Sequence, residues 1–324
     1  MVSNRFAEND GVRLSYHLHD RFLFWRPRLV LIQGVGFDAA AWSPVVRRLR
    51  RRFRLVVLDN RGVGESDAAG GWYTVSTMVE DVVAVLDEED IPEAHVLGVS
   101  LGGMVAQELA IRHPDRVDRL VLVSTTSGWP FTFPLPARSA RLLAVGPMLP
   151  RVDLRRRELR AMMSRQSMLE QPHLADQMST YLSSLPHDPR SKRQQMMAGA
   201  TYVGGLRQLK IRADTLILHG SADTVADPRN ATVLANQIAG AQLVMFPDSG
   251  HLLFWEHPGR FSDVVTAFLR RTVTDENAVD AEGNHFAAVP PAAEARRPLS
   301  RVTGRRSSIA QRPVDGERNQ RARS

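Results

Sequence analysis

The chain has 324 residues, 43% of them hydrophobic, so it can form one large α/β domain or two small ones and is not globally disordered. It contains no cysteine, which excludes disulfides, thiolate metal sites and cysteine nucleophiles. The formal net charge is +7, with 42 basic and 35 acidic residues, and arginine supplies nearly all of the basic ones.

The first 128 residues alternate strand-like and helix-like patterns. Residues 11–18 alternate apolar and polar side chains, as an edge or antiparallel strand does. Four continuous apolar runs then predict strands buried on both faces of a parallel sheet, at residues 29–32, 55–58, 94–99 and 120–123. Helical patterns lie between them at about residues 41–52, 74–90 and 102–113. This alternation predicts a doubly wound, mostly parallel α/β sheet.

Residues 129–209 interrupt the alternation. The segment opens with WPFTFPLP at 129–136, which cannot form a regular helix, and continues with helix-like stretches and no β-branched run. It also holds seven of the 11 methionines. We expect this segment to be a helical cap inserted between two strands and lying over the sheet.

The α/β alternation resumes at residue 210. Residues 215–218 and 242–246 predict two further strands, and a closing helix is expected at about 259–271. The core is therefore predicted to comprise residues 1–128 and 210–274. Residues 275–324 are rich in alanine, proline, arginine and acids and poor in large apolar residues, a composition that predicts a disordered C-terminal tail.

Two absences in the sequence give expectations about location. The first eleven residues contain acids and no apolar stretch, so no secretory signal is expected. No run of about 18 apolar residues occurs, so no membrane span is expected either. Together with the lack of cysteine, these features favour a cytoplasmic protein.

The most informative motif is Gly-x-Ser-x-Gly, formed by Gly98, Ser100 and Gly102. A strand-like run leads into it and a helix-like run leads out, which is the context of a nucleophile elbow. The small residues on either side leave room for the chain to reverse and present the serine hydroxyl at the top of the sheet. A serine in an ordinary glycine-rich turn is the alternative, and the flanking elements favour the elbow.

Serine needs a base to take its proton and a third group to orient that base. In this kind of fold the order is serine, acid, histidine, each after a strand. Asp223, in the loop after strand 215–218, is the predicted acid. Asp227 is the second choice and is interpreted as a turn residue or helix cap, with Pro228 at the first helical position.

His251 is the predicted base, because it follows strand 242–246 and a short glycine-containing loop. The other histidines are less well placed. His219 precedes the acid at a strand end, His257 is followed by proline and marks a helix start, and His113 ends a helix away from the chemistry. Asp248 is interpreted as a residue that supports the His251 loop.

The oxyanion hole needs two backbone donors. We assign the amide of Leu101, which follows the nucleophile, and that of Val35 in the loop QGVGF at 33–37. This loop lacks the third glycine of a dinucleotide fingerprint, and no metal-ligand spacing occurs, so neither a cofactor nor a metal is predicted. Phe37 and Trp129 are predicted to contact substrate, with ordinary packing as the alternative.

Taken together, these residues resemble the α/β-hydrolase superfamily over about residues 5–272. The motifs that carry the resemblance are QGVG at 33–36, where the family usually has His-Gly, DNRGVGES at 59–66, GVSLGG at 98–103, HGSAD at 219–223, and GH at 250–251 through EHP at 256–258. The resemblance implies Ser100 as nucleophile, Asp223 as acid, His251 as base and a helical cap. Within the superfamily the core is similar to 3-oxoadipate enol-lactonase-like and aclacinomycin methylesterase-like proteins, and residues 96–126 resemble intracellular polyhydroxyalkanoate depolymerases.

We therefore expect a serine hydrolase that cleaves a small-molecule carboxylic ester or lactone through an acyl-enzyme on Ser100. Hydrolysis of a C–C bond or a thioester, and perhydrolysis, would use the same triad. A non-catalytic ligand-binding protein on this fold is the alternative from another class, and the three filled triad positions argue against it. Arginine clusters at 47–54 and 155–160 lack interleaved aromatic residues, so solvated helix faces are favoured over nucleic-acid binding. The sequence does not define the oligomeric state.

Overall fold

The computed structural model describes residues 3–19, 25–134, 136–137, 139, 151–185 and 188–270, and the predicted tail at 275–324 lies outside them. Within these ranges eight strands form one sheet: β1 (Ser3–Asn9), β2 (Val12–His19), β3 (Arg28–Ile32), β4 (Arg54–Leu58), β5 (Ala94–Val99), β6 (Val117–Val123), β7 (Asp214–Gly220) and β8 (Gln242–Phe246).

The strand order is β1-β2-β4-β3-β5-β6-β7-β8. The β1–β2 and β2–β4 pairs are antiparallel, and every pair from β4 to β8 is parallel. Because β3, β5, β7 and β8 run the same way, the loops after them meet at one edge of the sheet. This confirms the predicted fold class, a mostly parallel α/β sheet.

Helices cover both faces of the sheet. Those in the described residues are α1 (Ser43–Leu49), α2 (Val75–Glu88), α3 (Leu101–Arg112), α4 (Arg151–Met162), α5 (Arg165–Glu170), α6 (Pro172–Ser184), α7 (Pro189–Ala200), α8 (Arg229–Gln237), α9 (Leu253–Glu256) and α10 (Pro258–Leu269). Helices α4–α7 lie between β6 and β7 in the chain, and we call them the inserted helices. None of the helices described is long and apolar enough to cross a membrane.

The central strands are apolar on both sides because both sides are covered. In β5, Val96 packs into the cluster under α2 and α3, and its neighbour Leu97 packs into the cluster under α1 and α10. Both side chains are fully buried. Full burial of an aliphatic side chain contributes about 1.5–3 kcal/mol, so continuous apolar runs are stable only in such a two-sided position.

The sequence did not predict β1. This strand lies at the edge of the sheet and pairs with β2 alone, so most of its side chains face solvent, and even Phe6 is 39% exposed. An edge strand of this kind needs no apolar run, and its partner is set by the short turn at residues 10–11.

The DNRGVGES turn fastens the loop after β4 to the core. The carboxylate of Asp59 accepts hydrogen bonds from the amides of Ala39 (2.6 Å) and Glu65 (3.1 Å). The buried Arg61 guanidinium contacts the Asp81 carboxylate on α2 through two hydrogen bonds of 2.6 and 2.5 Å. These contacts are internal to the core, so the motif stabilises the loops around the sheet edge.

Candidate active site

Ser100 occupies a sharp turn between β5 and α3, with φ 54° and ψ −116°. A positive φ is strained for a residue with a side chain and is held here by packing on both sides. A side chain at Gly98 would collide with the Gly102 carbonyl, and one at Gly102 would collide with the Ile32 carbonyl. The glycines are therefore required by close backbone approach, and Ser100 lies directly over Gly34 of the loop after β3.

Asp223 lies in the loop after β7 with both of its carboxylate oxygen atoms engaged. Oδ1 accepts hydrogen bonds from the amides of Val225 (2.7 Å) and Ala226 (3.0 Å), and Oδ2 lies 2.8 Å from Nδ1 of His251. Burial raises the pKa of this carboxyl, but the charge of His251 and the hydrogen bonds from His219 and His251 outweigh burial and bring the pKa well below its usual range. The side chain is thus held as a carboxylate facing His251.

His251 follows β8 in a loop that is tied down on both sides. The preceding amide of Gly250 donates to Oε1 of Glu256 (2.8 Å), and the following amide of Leu252 donates to the carbonyl of Met162 at the end of α4 (3.0 Å). Because Nδ1 is engaged with Asp223, Nε2 is the nitrogen left for proton transfer. Glu256, only 1% exposed, orders this loop, a role that no motif in the sequence predicts.

Most of the alternative acids and bases lie where the sequence placed them. Asp227 is paired with the exposed Arg229 guanidinium (2.6 Å) and accepts the Arg229 amide at the start of α8, so it is a turn residue. His257 precedes α10, and His113 ends α3.

His219 is the exception. Its Nε2 lies 3.1 Å from Asp223 Oδ2, so a histidine that is not the predicted base directly contacts the predicted acid. The spacing of four residues gave no sign of this contact, which depends on how the loop after β7 folds back.

Two amides of the loop after β3 donate to glutamine side chains. The Gly34 amide donates to Oε1 of Gln33 (3.1 Å), and the Gly36 amide donates to Oε1 of Gln195 (2.7 Å). Among the hydrogen bonds of the described residues, none uses the amide of Val35 or that of Leu101. The Leu101 amide belongs to the first turn of α3, where helical amides have no intrahelical partner.

Gln33, which stands where the family usually has histidine, is fully buried. Its backbone carbonyl accepts a hydrogen bond from Nδ2 of Asn60 (2.9 Å), and its own side chain closes onto the next amide. Its Nε2 has no partner in the described part of the chain. The amide side chain therefore supports the loop from within.

The two predicted substrate contacts lie in different surroundings. Phe37 is 6% exposed, and its ring lies 5.8 Å from that of Tyr181 on α6. Trp129 is 63% exposed, and its amide donates to the Tyr202 carbonyl (3.0 Å). Phe37 thus lies beneath the inserted helices and Trp129 on the surface, and contact of either with substrate stays a prediction.

Two polar side chains of the inserted helices contact the core loops and were not found from the sequence. Tyr181 donates a hydrogen bond to Asp38 (2.9 Å), and burial together with this carboxylate raises the pKa of Tyr181. Gln195 joins Gly36 to the carbonyl of Arg61 (3.0 Å). A polar residue on a polar helix carries no signal for such contacts, which arise only in the tertiary structure.

The described residues offer no candidate metal centre. No group of three or more histidine, aspartate or glutamate side chains that could hold a metal ion occurs in the described part of the chain.

The chain matches the family model described as alpha/beta hydrolase fold over residues 27–258. It is 31% identical over 252 residues to the 2-hydroxymuconate semialdehyde hydrolase of Pseudomonas sp. (strain CF600), which covers 74% of this chain and 86% of that protein. It is 26% identical over 251 residues to the pimeloyl-[acyl-carrier protein] methyl ester esterase of Aeromonas hydrophila, covering 75% of this chain and 95% of that protein.

Among solved structures, the chain is similar to the enol-lactonase from Burkholderia xenovorans LB400. The TM-score is 0.74 at 26% sequence identity, and the similarity covers 82% of this chain and 100% of the enol-lactonase chain. The three relatives are all hydrolases by name, and they differ in the bond that is cleaved.

Proposed function

Because the chain belongs to the α/β-hydrolase family, we propose that it is a serine hydrolase that cleaves a carboxylic ester or a lactone. The observation that carries the proposal is the 2.8 Å contact between Asp223 Oδ2 and His251 Nδ1 at the edge of the sheet where Ser100 occupies its strained turn. An imidazole oriented in this way by a carboxylate can accept the proton of a serine hydroxyl.

Acylation begins when Ser100 Oγ attacks the substrate carbonyl carbon while its proton passes to Nε2 of His251. The carbonyl oxygen becomes an oxyanion and is held by the amides of Val35 and Leu101. When the tetrahedral intermediate collapses, the bond from carbon to the leaving oxygen breaks and His251 returns the proton to that oxygen. An ester loses an alcohol at this step, and a lactone opens but keeps its hydroxyl on the acyl chain.

Deacylation repeats the sequence with water as the nucleophile. His251 Nε2 takes a proton from water, which attacks the acyl carbon, and the bond to Ser100 Oγ then breaks as the oxygen is reprotonated. Asp223 keeps its carboxylate throughout and stabilises the imidazolium.

The inserted helices act in this proposal as a cap over the site. Their contacts support it: Tyr181 contacts Asp38, and Gln195 contacts Gly36 beside the proposed oxyanion amide of Val35. Phe37, which lies under Tyr181, would contact the acyl or alcohol group of the substrate. Trp129, which is exposed, would contact substrate only from the outer surface.

Hydrolysis of a C–C bond is the second candidate. The similarity to the 2-hydroxymuconate semialdehyde hydrolase, at 31% identity, favours it. The same serine and histidine would serve, and the substrate alone distinguishes the two reactions. Of the other readings, a non-catalytic binding protein would hold the triad residues without activating Ser100.

The test is turnover of a panel of p-nitrophenyl esters, lactones and a dienoate by the wild type and by Ser100→Ala. The proposal expects ester or lactone turnover that Ser100→Ala abolishes. Turnover of the dienoate alone would favour the second candidate, and turnover that survives in Ser100→Ala would overturn the mechanism.

A further inference from the structure

His219 is the last-but-one residue of β7 and is fully buried. Its Nε2 lies between two oxygen atoms of the following loop, 3.2 Å from the carbonyl oxygen of Ala226 and 3.1 Å from Oδ2 of Asp223. The proposed reaction uses neither ring nitrogen. The imidazole is therefore buried against the acid without a part in the proposed proton transfers.

The surroundings define which nitrogen carries the proton. A carbonyl oxygen accepts hydrogen bonds only, so the contact with Ala226 requires a proton on Nε2 of His219. Nδ1 is buried and has no hydrogen-bond partner in the part of the chain that the structure describes. A second proton there would bury an unpaired N–H and a charge, which is costly. The ring is therefore the neutral tautomer protonated on Nε2.

This proton closes a ring of contacts around the acid. The Ala226 carbonyl accepts from His219, and the Ala226 amide donates to Asp223 Oδ1 (3.0 Å). The same N–H of His219 lies beside Oδ2, the oxygen atom that accepts the hydrogen bond from Nδ1 of His251. Ala226 is thus held on both sides, and the carboxylate cannot rotate without breaking one of these contacts.

We propose that His219 is a positioning residue: as the neutral Nε2–H tautomer it anchors the acid loop through Ala226 and keeps Asp223 Oδ2 directed at His251. The proposal rests on the serine hydrolase mechanism above. It assigns His219 no contact with substrate.

The other charged groups nearby do not replace this role. Asp227, in the same loop, is paired with Arg229 on α8. Glu256 on α9 is occupied by the amides of Gly250 and Ser164. Thr224, in the loop after β7, donates a hydrogen bond from its hydroxyl to the carbonyl of Ala161 on α4, one of the inserted helices. This hydroxyl carries no charge.

The role predicts a direction for the pH dependence. The N–H of His219 withdraws negative charge from Oδ2, so its removal strengthens the attraction of the carboxylate for the proton on His251. The acid limb of the kcat/KM profile is therefore expected to move upward by about one unit.

The experiment compares His219→Phe, which removes the N–H, with His219→Gln, whose side-chain amide can place a donor near the same point. His95→Phe is the matched control, because His95 is another buried histidine near a carboxylate, 3.0 Å from Asp118, at the opposite end of β5 from Ser100. The substrate is whichever ester the wild type hydrolyses, and thermal unfolding checks that each variant is folded.

We expect His219→Phe to lower kcat about tenfold or more with little change in KM and to raise the acid limb by about one unit. His219→Gln should keep the wild-type limb and most of kcat, and His95→Phe should leave both unchanged. An acid limb that stays in place or moves downward in a folded His219→Phe would overturn the proposal, as would a His219→Gln that behaves like His219→Phe.

A second measurement does not need activity. In ¹⁵N-labelled protein, the ring signals that disappear in His219→Phe report the tautomer of His219 directly. We expect a neutral ring protonated on Nε2, and a cationic ring or a proton on Nδ1 would contradict the proposal. If the wild type shows no Ser100-dependent turnover, the proposed function fails while this measurement still tests the role of His219.

Discussion

The side-chain oxygen of Gln195 accepts a 2.7 Å hydrogen bond from the backbone amide of Gly36. Gln195 lies on α7, one of the inserted helices, and Gly36 follows Val35 in the loop after β3. The Gln195 amide nitrogen also donates to the carbonyl of Arg61. One fully buried side chain thus connects an inserted helix to the loop that supplies a proposed oxyanion donor.

We predict that Gln195→Met lowers kcat/KM by about 10- to 100-fold, because the loss of a buried hydrogen-bond partner costs roughly 1–3 kcal/mol and here loosens the oxyanion loop. Gln194→Met is the matched control. Gln194 is also buried on the same helix, but its amide donates to the Gly71 carbonyl (2.7 Å), outside the oxyanion loop. Equal losses of kcat/KM in the two variants would show that Gln195 stabilises the protein and does not position the loop.

Asp223→Asn is expected to lower kcat by roughly 10³- to 10⁴-fold, because an amide in place of the carboxylate favours the wrong tautomer of His251 and cannot stabilise its cation. The control is Asp227→Asn, which changes the second-choice acid four residues along. It should keep nearly full activity, because the hydrogen bonds that the Asp227 carboxylate accepts in the described part of the chain come from Arg229 at the start of α8. Steady-state kinetics on the best ester measure kcat of both variants. A larger loss of kcat in Asp227→Asn than in Asp223→Asn would make Asp227 the acid.

The buried ion pair of the DNRGVGES turn predicts a stability effect. Arg61→Met leaves the Asp81 carboxylate, 2% exposed, with Asn9 (2.8 Å) as its one remaining side-chain donor among the described residues. An uncompensated buried charge costs about 3–5 kcal/mol, which urea unfolding would measure. The double variant Arg61→Met with Asp81→Leu should recover part of the loss.

An exposed ion pair supplies the control for this stability effect. Arg229→Met breaks a pair in which the arginine side chain is 66% exposed, so solvent screens the pair and its loss should barely change the free energy of unfolding. A similar loss in Arg61→Met and Arg229→Met would contradict the role assigned to the buried pair.

The central strands could be predicted because a strand buried on both faces leaves a continuous apolar run, as residues 94–99 do. The elbow could be predicted because close backbone approach restricts the positions two before and two after Ser100 to glycine. The pairing of Asp223 with His251 followed from chain order and from the strands that precede them. Each of these features depends on local sequence or on the shared edge of a parallel sheet.

The remaining features depend on contacts between distant segments. β1 is an exposed edge strand, so it carries no apolar run to identify it. His219 reaches Asp223 only because the loop after β7 folds back on the strand end, and Gln195 reaches Gly36 across 159 positions of sequence. Polar side chains of this kind have no periodicity, and their partners emerge only from the tertiary structure.

The most direct test of the central claim is covalent labelling with a fluorophosphonate, which reacts with an activated serine. We expect one label per chain, located on Ser100 by peptide mass spectrometry. A folded Ser100→Ala should take up no label. A folded wild-type protein that takes up no label, or a label that persists in Ser100→Ala, would contradict the claim that Ser100 is the nucleophile.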